Sequence, residues 1–168
     1  MWSSLILLAA AAVGPSCPAA ADPALLAKPY DEFDTASGEL AWRSLLNRGC
    51  VDSAVATLKA YRQANAARMS GEQREELTFH IGQALVMSAR DAESVPYFES
   101  ASGDASTAEW SAYVAAHLGF ARKDRALVER SLAAYEKLAK PGSVRLTFIR
   151  GFLKCLDKPY MEAAHCEM

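Results

Sequence analysis

Two segments, Ser70-Gly-Glu-Gln73 and Ser106-Thr-Ala-Glu109, carry the pattern of a capping box. In that motif a Ser oxygen accepts a free N–H of a helix's first turn, and the Gln or Glu three residues on reaches back to the Ser N–H. Each box marks a helix start. Around them the chain is punctuated at short intervals, and no stretch alternates apolar with polar residues over the length of a strand. Such a chain is expected to be all-α, with short connections that leave successive helices antiparallel.

Eight helices are expected from these signals. Ser37 or Thr35 opens the first, through Leu40, Trp42, Leu45 and Leu46, and Arg48-Gly49 ends it. Asp52 caps the second, which carries Val55, Leu58 and Tyr61 on one side. The Ser70 box opens the third, to about Ala89, and Asp91 starts the fourth, through Val95, Tyr97 and Phe98. The Ser106 box opens the fifth, to about Arg122, and Asp124 caps the sixth, to about Lys140. Ser143, after the Pro141-Gly142 break, caps the seventh, and Pro159 begins a short eighth.

The amino-terminal segment reads differently. Residues 2–21 have no charged side chain, and the apolar run from Leu5 to Val13 is too short to span a bilayer. Gly14-Pro15 breaks it, and Ala19-Ala20-Ala21 offers small residues for cleavage before Asp22. This is the pattern of a signal peptide over 1–21, which places the mature protein in a periplasm or outside the cell, with no stable membrane insertion. An uncleaved anchor and a lipoprotein attached through Cys17 are the alternatives. Residues 22–35, broken by Pro23 and Pro29, are expected to be extended beyond Ala24–Ala27, and 36–168 to form the helical domain. Removal of 1–21 leaves Cys50, Cys155 and Cys166, an odd number. Either one pair and one thiol result, or an intermolecular bridge forms, or Cys50 and Cys155 are small buried side chains; the pairing stays open.

Composition narrows the partners. The formal net charge is −2, with 51% apolar and 23% charged residues, as in an ordinary globular domain. No basic excess supports a nucleic-acid partner. No cofactor motif is present: the glycines form neither G-x-G-x-x-G nor G-x-x-x-x-G-K, and no G-x-S-x-G occurs.

Gly82, Ser94, Phe98 and Ala101 place a small residue in one helix and small, aromatic and small residues in the next. A shift of 34 residues reaches Ala116, Val128, Leu132 and Tyr135, and second-helix anchors recur at Ala54, Ser94, Val128 and Ala163. This pattern resembles the tetratricopeptide repeat, whose period is about 34 residues. The resemblance covers 36–166 and implies four antiparallel hairpins stacked as a short solenoid with a groove that binds a protein or peptide. Val128 and Tyr135 are large where that family prefers Ala.

In the 107–122 helix, Ala112, Ala115, Ala116 and Gly119 form a small-residue face, and Trp110, Tyr113, His117 and Phe120 form an aromatic stripe. In the family's register the stripe faces the groove. The same register selects Arg43 in the first hairpin, Glu76, Phe79 and Gln83 in the second, and Arg145 and Phe148 in the last. Aromatic rings supply flat contact area and polar handles, which suits recognition. A stripe at this spacing also suits a core, and in a short array the chain's own ends can fill the groove.

A second reading is a small-ligand or metal-binding protein, or a minor enzyme, built on Glu76, His80 and His117. Glu76 and His80 share a helix face, as an acid–base couple or two metal ligands would. No paired-cysteine or H-E-x-x-H motif completes a metal set, so Glu76 and His80 are the weak metal candidates and no metal is assigned.

Overall fold

The computed structural model describes residues 16–19 and 21–166, so the Leu5–Val13 run lies outside the described residues. Among the described residues there are ten α-helices and no strand: α1 (Pro23–Leu26), α2 (Tyr30–Asp34), α3 (Trp42–Asn47), α4 (Val51–Ala64), α5 (Gly71–Val86), α6 (Asp91–Ser100), α7 (Ala108–Arg122), α8 (Arg125–Glu136), α9 (Val144–Lys154) and α10 (Tyr160–Ala164). Eight of them, α3 to α10, correspond to the eight expected helices, but α3 begins only at Trp42, well after Thr35 and Ser37, neither of which caps it. Of the other two, α1 falls within a residue of the Ala24–Ala27 stretch, and α2 corrects the extended segment expected after it. Asp22 caps α1 by accepting from the Ala24 N–H, and Pro29 leads into α2.

The caps explain the boundaries. At α5 both arms of the Ser70–Gln73 box form, at 3.1 and 3.0 Å. At α7 the cap falls one residue later than expected, because Thr107 Oγ1 accepts the Trp110 N–H while Ser106 donates to Glu75 instead. Asp124 caps α8 through the Leu127 N–H. Asp52 and Ser143 make no cap; Asp52 instead pairs with Arg90. Gly49, at φ +79°, takes the left-handed turn that ends α3.

From α3 onward each helix packs on the next, α7 also meets α9, and α1 lies on α4. Apolar side chains gather in two clusters. One joins α1–α5 through Leu25, Phe33, Trp42, Leu45, Leu58, Tyr61, Leu77 and Ile81. The other joins α5–α10 through Phe79, Phe98, Tyr113, Phe120, Tyr135, Ile149, Phe152 and Tyr160. Helix α5 supplies both, and is buried on most of its circumference from Leu77 to Val86. Among the described residues no helix is long and apolar enough to cross a membrane.

Close helix approaches depend on glycine. A Cβ on Gly82 would stand 2.9 Å from the Phe98 ring, and one on Gly119 the same distance from Val128 Cγ2. One on Gly151 would collide with the Ala163 carbonyl. Each of the pairs α5/α6, α7/α8 and α9/α10 thus has one glycine at its contact.

The cysteines correct the sequence expectation most directly. Cys17 is bonded to Cys50 and Cys155 to Cys166, so no described cysteine is free. Cys17, assigned above to a removed leader, is part of the fold.

Candidate functional site

The ten residues expected to line a groove divide by depth. Phe79, Tyr113, His117 and Phe120 are buried in the α5–α10 core, with His117 and Phe120 at 0% exposure. Trp110, Glu76, Arg43, Gln83 and Phe148 are half-buried and Arg145 is exposed. A partner can reach only the second group. The division follows from α7, which is apolar almost all round and so is packed on nearly every side.

His117 sits among aromatic rings, with Phe79, Tyr113 and Phe152 edge-on to it at centroid distances of 4.7, 4.4 and 5.0 Å. Its Nδ1 lies 2.9 Å from the Tyr113 carbonyl oxygen and its Nε2 3.0 Å from the Tyr160 hydroxyl. A carbonyl only accepts, so Nδ1 carries the proton and Nε2 accepts from Tyr160. Gln83 Nε2 in turn donates to Tyr160. Burial lowers the His117 pKa to about 4, and the Tyr113 carbonyl opposes that shift only in part. The imidazole is therefore neutral at neutral pH and both its nitrogens are committed.

His80 is also buried. Its Nδ1 faces Asp34 Oδ1 of α2 at 3.1 Å, and Arg43 holds the same carboxylate with both terminal nitrogens. Burial lowers the His80 pKa to about 4 against the pull of Asp34, and Arg43 adds to the lowering. Trp42 packs on this imidazole, with Arg43 over its indole at 4.0 Å. The Trp42 Nε1–H is buried without a hydrogen-bond partner. Glu76 meets neither histidine; it accepts from the Tyr30 hydroxyl at 3.0 Å. Among the described residues no cluster of His, Cys, Asp or Glu is arranged to hold a metal ion.

The accessible candidates line two clefts. The first, of about 250 Å³, is bounded by Glu72, Glu75 and Glu76 of α5, by Ala105, Ser106 and Thr107, and by Trp110 and Arg145. The Trp110 indole N–H donates to the Ala101 carbonyl at 2.9 Å, which fixes the ring at the cleft wall. The Arg145 guanidinium lies 5.4 Å from that ring and 4.9 Å from Tyr113. Among the described residues, Arg145 makes no hydrogen bond or ion pair, and none of the three glutamates is paired with a cation within 4.0 Å. The cleft thus sets three carboxylates against one guanidinium, beside an indole face that already carries a cation.

The second cleft, of about 300 Å³, collects Arg43, Gln83 and Phe148 with Trp42, Leu46, Asn47, Met87, Tyr160, Met161, Ala164 and His165. Its floor includes α10, so the carboxyl-terminal helix closes this part of the face. A larger hollow of about 520 Å³, between Asp22 and Ala41, holds none of the candidate residues.

Sequence reasoning missed Tyr30 and Asp34, which reach α5 from a segment read as extended, and Tyr160, which links α5 to α7. Asp31 and Glu32, two and three residues after Pro29, were the signal for α2, being acidic residues in a helix's first turn. It also passed over Glu72 and Glu75, which share a cleft with Glu76. Comparison with known protein families, curated proteins and solved structures finds no match to this chain.

Proposed function

We propose that this is an exported helical-repeat binding module, and that the face it offers is the Trp110 cleft, taking a peptide segment with a basic side chain. The observation that carries the reading is the chemistry of that cleft: Glu72, Glu75 and Glu76, none of them in an ion pair, around a fixed indole on which Arg145 already stands. A cation over an indole face gains about 0.5–2 kcal/mol, more as water is excluded. Carboxylates around it add attraction and steer a basic partner inward. Two features support the repeat reading: one close-approach glycine in each of three successive helix pairs, and the packing of each helix from α3 onward on the next across a short connection. Two disulfides and the apolar amino-terminal run support export.

The test is calorimetric titration with a short Arg- and Lys-rich peptide at low salt, against an acidic peptide of equal length. Saturable binding of the basic peptide alone is expected, weakening as salt rises. Trp110→Ala and the double substitution Glu72→Gln/Glu76→Gln should each weaken it by roughly tenfold. Equal binding of both peptides, or unchanged affinity in variants that keep their helical signal, contradicts the reading.

A further inference from the structure

Cys17 precedes Ala19-Ala20-Ala21, the small-residue stretch at which a leader would most simply be cut. Cleavage after Ala21 would discard Cys17. Yet the Cys17 sulfur is bonded to that of Cys50, at the threshold of α4. The residues after Cys17 are built in as well. Ser53 of α4 donates to the Pro18 carbonyl at 2.6 Å. Asp22 caps α1, whose chain is then tied to α4 twice, by the Tyr61 hydroxyl on the Lys28 carbonyl and by Asn65 on the Leu26 carbonyl. Cys17, Pro18, Leu26 and Lys28 are thus laced to α4 and its two capping residues by a covalent bond and three hydrogen bonds.

Parity points the same way. With Cys17 the chain has two bridges; without it, Cys50 is an odd thiol, 2% exposed, inside the α1–α5 core. An exported chain in an oxidising compartment is better served by an even set.

We infer that the export leader is cut before Cys17, not after Ala21, so that the mature protein keeps all four cysteines as two bridges. This rests on the leader reading above. Small-x-small sites are present upstream at Ala10-Ala11-Ala12 and Gly14-Pro15-Ser16, which give new termini at Val13 or Cys17. Hydrolysis adds one water across the scissile bond, leaving a carboxylate on the leader and an amine on the mature chain. Bridge formation takes two protons and two electrons from the Cys17 and Cys50 thiols. A disulfide-bearing thiol oxidoreductase accepts them, and its own disulfide becomes a dithiol. The same bridge occupies the sulfur that a lipoprotein would use for its thioether.

The full chain is expressed in an exporting bacterial host, and the mature product is read by amino-terminal sequencing and intact mass. The expected terminus lies between residues 13 and 17, with no alkylation under denaturing, non-reducing conditions and four alkyl groups after reduction. Ala19→Leu, which spoils the downstream site only, should leave terminus and yield unchanged. A terminus at Asp22, or Cys50 alkylated without reduction, overturns the inference. A lipid-modified Cys17 overturns it too. A product that still begins at Met1 with both bridges formed overturns the leader reading itself, and is told apart by its mass.

Discussion

The two halves of the molecule each bury one imidazole, and they do so in opposite ways. In the α1–α5 core His80 faces the Asp34 carboxylate, which Arg43 grips in turn, and the neighbouring Trp42 N–H has no partner. In the α5–α10 core His117 meets only neutral groups, the Tyr113 carbonyl and the Tyr160 hydroxyl, inside a cage of rings. Both are nonetheless held near the same pKa, about 4. Burial is the larger effect in each, strong enough at His80 to override an adjacent carboxylate. The halves differ in their covalent closure too. The first is tied across 33 residues by Cys17–Cys50, the second across 11 by Cys155–Cys166. The amino-terminal half is assembled from segments far apart in sequence; the carboxyl-terminal one is closed locally.

The bridges provide the largest way to break that contrast. The chain-entropy relation gives about 3.7 kcal/mol for a loop of 33 residues and about 2.8 kcal/mol for one of 11. Urea denaturation of Cys17→Ser/Cys50→Ser and of Cys155→Ser/Cys166→Ser should therefore show the first pair costing about 1 kcal/mol more. Equal losses, or a greater loss from the second pair, would mean that the long-range tie is not what holds the amino-terminal half.

The histidines give the next largest effect. Their pKa is near 6.5 in the unfolded chain and about 4 in the fold, so the native state favours the neutral form. Their contribution is complete above about pH 6.5 and is lost as pH falls from there toward 4, because the unfolded chain takes up protons first. Each adds at most about 1.4 kcal/mol per pH unit to the slope in that window. His117→Gln should remove roughly half of the slope and leave the His80 share, read from urea midpoints at a series of pH values. An unchanged slope would mean that His117 does not stay neutral in the fold.

Much of this arrangement was legible in the sequence. The Ser70 box, the Asp124 cap and the Pro141-Gly142 break located α5, α8 and the start of α9 because those signals are local. Tertiary placement was harder to read. α7 is apolar on nearly every face, so helical spacing alone cannot distinguish a groove stripe from a core stripe, and four of the ten candidate residues are core. The 34-residue shift from Gly82 picked Ala116, which is buried, and passed over Gly119, where a Cβ would meet Val128 of α8. A five-residue helix such as α2 has too few turns to show a period, and its Asp34 is significant only once His80 stands opposite. Cys17 was assigned to the leader because a cleavage pattern is local, while its bridge is not.

The central claim is that the Trp110 cleft is the face the protein presents, and single-tryptophan fluorescence tests it most directly. In leader-free Trp42→Phe protein, Trp110 is the one indole left. Acrylamide should quench it partially, as a half-buried ring on a cleft wall requires, and a saturating basic peptide should reduce that quenching. An indole that acrylamide cannot reach, or one whose quenching the peptide leaves unaltered, would contradict the account.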